Sequence, residues 1–178
     1  MRPLEAGDIP AIVRYWTEAG PADLDRMGVD PARVPAAEAM AAALEQVIAI
    51  PDDQARTAYM IWLVDGRAIG YSGLKNIRHG HGGEIHLHMW EAAARGQGHG
   101  GRLFALSALA FYERFRLREI ICEPKADNVM PNRMLAKAGF PLVGSRIGAS
   151  SELSTESLLN IYAIPREIAR RVADGGGQ

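Results

Sequence analysis

The sequence predicts an α/β (α+β) fold. One domain spans residues 1–170, built on a mixed, mostly antiparallel sheet of six to seven strands flanked by about four helices, and residues 171–178 form a disordered tail. Three observations predict it. A chain of 178 residues that is 48% apolar can bury one sizeable core. The hydrophobic period switches between helical and alternating along the chain, giving the order α-α-β-β-β-α-β-α-β-β. A strand–helix–strand unit around residues 84–123 implies one parallel pair, and hairpins elsewhere make the other pairings antiparallel.

The first helix starts at Asp8-Ile9-Pro10, where Asp8 is an N-cap candidate and Ile9, Ile12, Val13 and Trp16 recur at helical spacing; Gly20-Pro21 ends it. Pro21, Gly28, Pro31 and Pro35 make the next stretch a loop, with a short helical turn at Ala22–Met27. Ala36–Ile50 is Ala-rich and periodic, hence a second helix, stopped at Pro51. Ala58–Val64 and Arg67–Ile77 form a hairpin, because Asp65-Gly66 supplies the positive φ values of a tight turn. Glu84–Trp90 alternates: Ile85, Leu87 and Met89 on one face, Glu84, His86, His88 and Trp90 on the other. Gly101–Arg116 is a long helix, Glu119–Glu123 a short strand, and Val129–Ala138 a helix ending at Gly139. Phe140–Ile147 and Leu158–Ile164 are the final strands, joined by a long polar loop, Gly148–Ser157, expected to be mobile.

Composition removes several function classes. A net charge of −1 gives no reason to expect nucleic acid or an anionic membrane as a partner. No apolar run approaches the roughly 20 residues that span a bilayer, and Met1–Gly7 lacks the apolar core of a leader. The single Cys122, in an apolar strand run, excludes an internal disulfide and fits a reducing cytoplasm.

The most informative stretch is Arg95-Gly96-Gln97-Gly98-His99-Gly100-Gly101, between a strand and a helix. Glycines let backbone N–H groups approach an anion, and the helix N-terminus adds partial positive charge, so a phosphate or pyrophosphate suits it. Three motifs compete for it. A P-loop needs Lys-Ser/Thr after the last glycine, where Arg102-Leu103 stands. The dinucleotide fingerprint is satisfied by Gly96, Gly98 and Gly101, with Glu123 as the ribose acid. However, Glu91–Arg95 separates the strand from the glycines, and too little chain follows for the remaining parallel strands. Arg95-x-x-Gly98-x-Gly100 resembles the acyl-coenzyme A loop of the GNAT acetyltransferase superfamily, and Asn128…Gly139-Phe140 resembles that family's second signature in the expected order.

That resemblance implies an acyl-CoA N-acyltransferase fold, with its parallel strands splayed beside the loop, and acetyl transfer from acetyl-coenzyme A to a primary amine within a ternary complex. It places Arg95, Gly96, Gln97, Gly98, His99, Gly100 and Gly101 at the pyrophosphate, Met89 and Trp90 along the pantetheine arm, and Asn128 near the sulfur end. Leu135 stands where many members carry a Tyr general acid, as in members resembling ribosomal-protein N-terminal acetyltransferases; Tyr112 and Ser107 are substitutes by residue type alone. The base is expected among Glu84, His86 and His88, with imidazoles titrating near neutrality and tuned by Glu84. Trp16, Glu18, Asp23 and Asp25 fall where the family builds its acceptor pocket, and Arg114, Arg116 and Arg118 are candidates for an adenosine 3′-phosphate. His79, His81, His86 and His88 fall within ten residues, but no second cluster completes a metal site and the implied reaction needs no metal. The acceptor stays open between a small molecule and a protein N-terminus, and a homodimer stays open too. A non-catalytic acyl-coenzyme A sensor and an NAD-binding oxidoreductase are the alternatives.

Overall fold

The computed structural model describes residues 1–94 and 96–175. Its elements run β1 (Arg2–Pro3), α1 (Ile9–Thr17), α2 (Pro21–Met27), α3 (Ala37–Ala49), β2 (Ala58–Val64), β3 (Arg67–Arg78) and β4 (Gly82–Met89). They continue with α4 (His99–Arg114), β5 (Glu119–Cys122), α5 (Val129–Lys137), β6 (Leu142–Gly148), β7 (Ser157–Ala163) and α6 (Arg166–Ala173). One seven-stranded sheet has the order β1-β2-β3-β4-β5-β7-β6. Only β4 and β5 pair in parallel; every other neighbouring pair is antiparallel.

The local reasons are those the sequence carries. Asp65 and Gly66 adopt φ of 50° and 76°, so the β2–β3 hairpin closes through two left-handed residues, matching the twist of the strands. Alternation along β4 sends Ile85, fully buried, to one face and Glu84, His86 and His88 to the other. On the first face, Trp62, Leu74 and Ile85 pack with Phe104 and Phe111 of α4, Leu135 of α5 and Ala169 of α6. On the second, Ile61 and Tyr71 pack under Ile9 and Ile12 of α1 and Met40 and Leu44 of α3. Each fully buried large side chain contributes about 1.5–3 kcal/mol, so the sheet is fixed from both sides.

Three elements differ from the sequence reading. β1 is two residues long, too short for any period to show, and is held by Arg2↔Ile61 and Pro3↔Met60. α6 carries its helix through Arg171–Ala173, which the reading placed in a disordered tail; Val172 and Ala173 are buried there, and Arg102 Nε donates to the Ala173 carbonyl at 3.0 Å. Residues 176–178 lie outside the described residues. With α2 a full helix, the described residues form six α-helices rather than about four.

The 149–156 segment is tied down as well, in place of the expected mobile loop. Val29 bridges Ser154, the Asp30 amide donates to Leu153 O at 2.8 Å, the Thr155 amide to Gly28 O at 2.8 Å, and Arg33 Nη1 to Ser154 O at 2.8 Å. Among the described residues no helix is long and apolar enough to cross a membrane.

Candidate active site

The two parallel strands part company beside the glycine loop. β4 pairs with β5 only over Gly82–Glu84, against Glu119–Ile121, while β4 continues along β3 to Met89 and β5 turns its pairing to β7. The Trp90 amide donates to Ile69 O at 3.1 Å, so by antiparallel alternation His86 and His88 also direct their backbone groups toward β3. Leu87 and Met89 direct theirs toward the splay. Met89 thus faces the splay, whereas Trp90 does not: its amide and its indole N–H, which donates to Ala68 O at 3.1 Å, are committed to β3.

At the mouth of the splay, the glycine run opens α4. Gly96 and Gly98 have φ of 76° and 83°, a region closed to most side chains, and Gly98 is the helix N-cap with no side-chain cap. The first turn of α4 holds no acidic residue, so the early amides of His99, Gly100 and Gly101 meet no side-chain anion from their own helix. A Cβ at Gly100 would lie 3.6 Å from Met134 Sδ of α5 and 3.8 Å from Met89 Cε of β4, so the turn faces both walls of the splay. Gln97 is exposed on the loop, and its Nε2 reaches Ala93 O at 3.3 Å. Arg95 lies outside the described residues.

Asn128 completes this end. It is the N-cap of α5, a position where Asn usually accepts a backbone N–H, yet it makes no such bond. Its Oδ1 is buried without a hydrogen-bond partner. The local carbonyls are served instead by Asn132, whose Nδ2 donates to Lys125 O at 2.9 Å and Asn128 O at 2.8 Å, while its Oδ1 accepts from Asn160 Nδ2 at 2.8 Å.

The three polar residues of β4 separate in environment. Glu84 is bound by Lys75 Nζ at 3.2 Å and Asn76 Nδ2 at 2.9 Å, and Lys75 also donates to Ser150 O. His88 is boxed by Tyr71, stacked at 4.9 Å, and by Tyr15 and Trp16 edge-on, with Nδ1 3.3 Å from the Tyr15 hydroxyl. Tyr15 donates to Met27 Sδ at 3.1 Å and Trp16 Nε1 to Tyr71 Oη at 3.0 Å, so α1 and α2 fix the box. His86 keeps some solvent exposure, and its side chain has no hydrogen bond to any described residue.

Burial holds the His86 imidazole well below its usual range, helped by the charge of Lys75 and by His88. Burial, helped by Arg26, lowers His88 to about 3. Both are therefore neutral at physiological pH rather than titrating near it. Glu84 is not among the groups that shift either imidazole; its carboxylate is paired with Lys75.

A family model described as an acetyltransferase (GNAT) domain matches residues 1–141. The chain belongs to the GNAT acetyltransferase family. Solved structures share its fold. A ribosomal L7/L12 alpha-N-protein acetyltransferase, RimL, in complex with coenzyme A superposes with a TM-score of 0.74 at 17% identity, covering 93% of each chain. Mycobacterium smegmatis RimJ in complex with CoA-disulfide gives 0.74 at 18% identity, covering 99% of this chain and 88% of that one. A spermidine N-acetyltransferase SpeG chimera from Vibrio cholerae and hSSAT gives 0.70 at 16% identity, covering 95% and 96%. A comparison with curated protein sequences returned no significant match.

Within this GNAT chain the general-acid substitutes fall away. Leu135 is fully buried in the helix-side core. Tyr112 donates to Ile164 O at 2.8 Å in that core, and Ser107 sits between Trp62 Nε1 at 3.0 Å and Leu103 O at 2.8 Å. The arginines proposed for a 3′-phosphate stand at the wrong end of α4. Arg114 closes the 16-residue helix, about 24 Å from the loop, and pairs with Asp52. The Cys122 thiol is pushed up to about 12 by burial and stays protonated.

Sequence reasoning missed Tyr15, Met27 and Tyr71 around His88, because their convergence is tertiary. It also missed a cleft of about 480 Å³ beside the end of β4, lined by Tyr15, Glu18, Asp23, Arg26, Trp90 and Glu91 among others. Glu18 and Asp23 were expected in such a pocket. Asp25 lies instead with Gly28 and Thr155 along a second, smaller cleft. Among the described residues no three His, Cys, Asp or Glu side chains converge to hold a metal ion.

Proposed function

We propose that this domain transfers an acetyl group from acetyl-coenzyme A to a primary amine by direct attack in a ternary complex. The observation that carries it is the convergence at one sheet opening of an uncapped helix N-terminus, a glycine turn and the buried, unpartnered Oδ1 of Asn128. An orphaned buried acceptor costs about 1–3 kcal/mol, and a donor from a pantetheine amide would satisfy it. The amides of Gln97 through Gly101 would hold the pyrophosphate, and the Met89 edge the pantetheine arm. Bound there, acetyl-coenzyme A supplies an acyl group on a thiolate leaving group.

The chain supplies the rest. Its amine acceptor would enter by the cleft at the end of β4, whose lining sets Glu18, Asp23 and Glu91 beside Arg14 and Arg26. We assign the amine proton to His86, whose imidazole is neutral and makes no hydrogen bond to a described residue; His88 is held by its box and Glu84 by Lys75, so they support the strand. The lone buried thiol fits a reducing cytoplasm. RimL and SpeG, whose names specify a ribosomal protein and spermidine, indicate the two acceptor classes to try first.

The test is release of free thiol from acetyl-coenzyme A with a panel of polyamines, amino acids and peptides with free N-termini. Turnover on at least one amine supports the reading. Tight coenzyme A binding with no turnover on any amine makes the domain an acyl-coenzyme A sensor. Stabilisation by NAD and not by acetyl-coenzyme A overturns the loop assignment.

A further inference from the structure

The cleft beside the end of β4 is charged at its rim and aromatic further in. Along α1, Ile9, Ile12, Val13 and Trp16 pack into the core, while the stripe Ala11, Arg14, Tyr15 and Glu18 lines the cleft. Some of the cleft's charges are already matched: Arg26 pairs with Asp23 at 2.8 Å, and Glu91 lies 3.9 Å from Arg67. Arg14 and Glu18 are not. They stand one helical turn apart, yet their side chains make no ion pair or hydrogen bond with each other or with any other described residue. Their order, base before acid, is the weaker one for a pair at this spacing. Glu18 is also the C-cap of α1, where the helix dipole favours a cation over a carboxylate, so it stands against the preference of its own helix.

Two unmatched, opposite charges one turn apart fit a ligand that carries an anion and a cation within the same span. A polyamine would satisfy Glu18 and leave Arg14 facing a cation. An α-amino-acid head satisfies both, its carboxylate meeting the guanidinium and its ammonium meeting Glu18. Glu18 also decides which nitrogen reacts. A carboxylate beside an amine keeps it protonated, and an ammonium has no lone pair with which to attack a thioester. The reacting amine therefore lies further in, where Tyr15, Met27 and Trp90 are half-buried. Tyr15 is held 3.3 Å from His88 Nδ1 and Trp90 by its bond to Ala68 O, so this inner surface is fixed and suits the methylenes of a side chain.

Resting on the acetyl-transfer reading, we propose that the acceptor is a free diamino acid. Arg14 and Glu18 hold its α-carboxylate and α-ammonium at the rim, and the amine at the far end of its side chain is acetylated. That amine forms the bond to the acetyl carbonyl carbon and gives up one proton. The thioester C–S bond breaks, and coenzyme A leaves as the thiolate and is protonated to the thiol.

The experiment uses the full chain and pairs each amino acid with its decarboxylated diamine, lysine with cadaverine and ornithine with putrescine. At least one amino acid is expected to exceed its diamine in kcat/KM by roughly 10- to 100-fold, the scale of a hydrogen bond to a charged group. Mass spectrometry of the product should place the acetyl group on the side-chain nitrogen. Arg14→Gln should collapse the preference, chiefly through KM for the amino acid, and Glu18→Gln should narrow the gap between lysine and Nα-acetyllysine, which has no α-ammonium. Both residues are exposed, so the circular dichroism spectrum and coenzyme A affinity of each variant are expected to match the parent's. Equal or better use of the diamines, acetylation at the α-nitrogen, turnover confined to peptide N-termini, or a preference untouched by Arg14→Gln overturns the proposal and leaves acetyl transfer standing. Absence of turnover on every amine removes the acetyl-transfer reading instead. Calorimetric binding of lysine and ornithine to the coenzyme A complex then decides the head site alone: binding weakened by Arg14→Gln supports it, and no binding, or binding indifferent to that change, overturns it.

Discussion

At the residue scale, Asn128 carries an unsatisfied polar atom at the proposed coenzyme A site. Its side chain occupies an N-cap without capping, and its oxygen is buried without a donor. Asn128→Ala is expected to leave the melting temperature of the free protein unchanged or higher while weakening coenzyme A binding roughly 5- to 100-fold, the range for a lost hydrogen bond to a desolvated partner. Calorimetric titration beside thermal unfolding checks both halves. A drop in stability with unchanged affinity would make Asn128 a structural residue. His86 carries a second expectation. Its imidazole is neutral well below 6.5, so the pH profile of kcat/KM should show no imidazole limb near 6.5 and should rise instead with deprotonation of the acceptor amine. His86→Gln should lower kcat by about 10²–10⁴-fold, the usual reach of a positioned base, with little change in coenzyme A affinity. An inflection near 6.5 that disappears in His86→Gln would show that the ring titrates in its ordinary range.

At the element scale, the connection from β5 to α5 is organised by one side chain. Asn132 satisfies the Lys125 and Asn128 carbonyls and is braced by Asn160 from β7, so it orients the turn that presents Asn128. Asn132→Ala should cost about 1–3 kcal/mol in unfolding free energy and raise KM for acetyl-coenzyme A more than it lowers kcat. Asn132→Asp, which keeps the acceptor and loses the donors, should not restore either; full rescue by Asp would place the function in the Asn160 contact. Elements of this kind mark the limit of what sequence shows. The β2–β3 hairpin, α4 and the alternation of β4 were legible because Asp65-Gly66, the glycine run and a two-residue period are local signals. β1 was not, because two residues have no period. Nor was α6, whose buried face is made of Ala169, Val172 and Ala173 among arginines. The proposed donor half of the site could be drawn from sequence because a glycine turn and an N-cap asparagine lie within short motifs. The acceptor half was not: Tyr15, Tyr71 and Met27 converge around His88 from three separate elements, and Lys75, set opposite Glu84 by strand register, acts on His86 by its charge.

At the scale of the whole molecule, burying two imidazoles in neutral form makes the fold acid-sensitive in a definite window. In the unfolded chain both histidines bind protons below about 6.5, whereas in the folded chain His88 holds out to about 3 and His86 to well below 6.5. Between those limits the unfolded state carries more protons, so unfolding free energy falls as the pH falls, by up to about 1.4 kcal/mol per pH unit for each histidine. Asp8 acts lower on the scale. Burial alone would raise its carboxyl, but the paired hydrogen bonds from Arg2 and the Glu5 amide outweigh that and hold it below the carboxylate range. The stability it contributes is complete above about pH 4 and is lost as the pH falls through its depressed value, so the slope between pH 6.5 and 4.5 belongs to the histidines. Denaturant unfolding at pH 7.5, 6.5, 5.5 and 4.5 should show a midpoint falling steadily below pH 6.5. The His88→Gln variant should have a shallower slope than the parent even if it is less stable throughout, because its side chain has no proton to bind in either state. Equal slopes in parent and variant would mean that His88 is already protonated in the folded protein, and the aromatic box of Tyr15, Trp16 and Tyr71 would then enclose an imidazolium in place of the neutral ring that its packing favours.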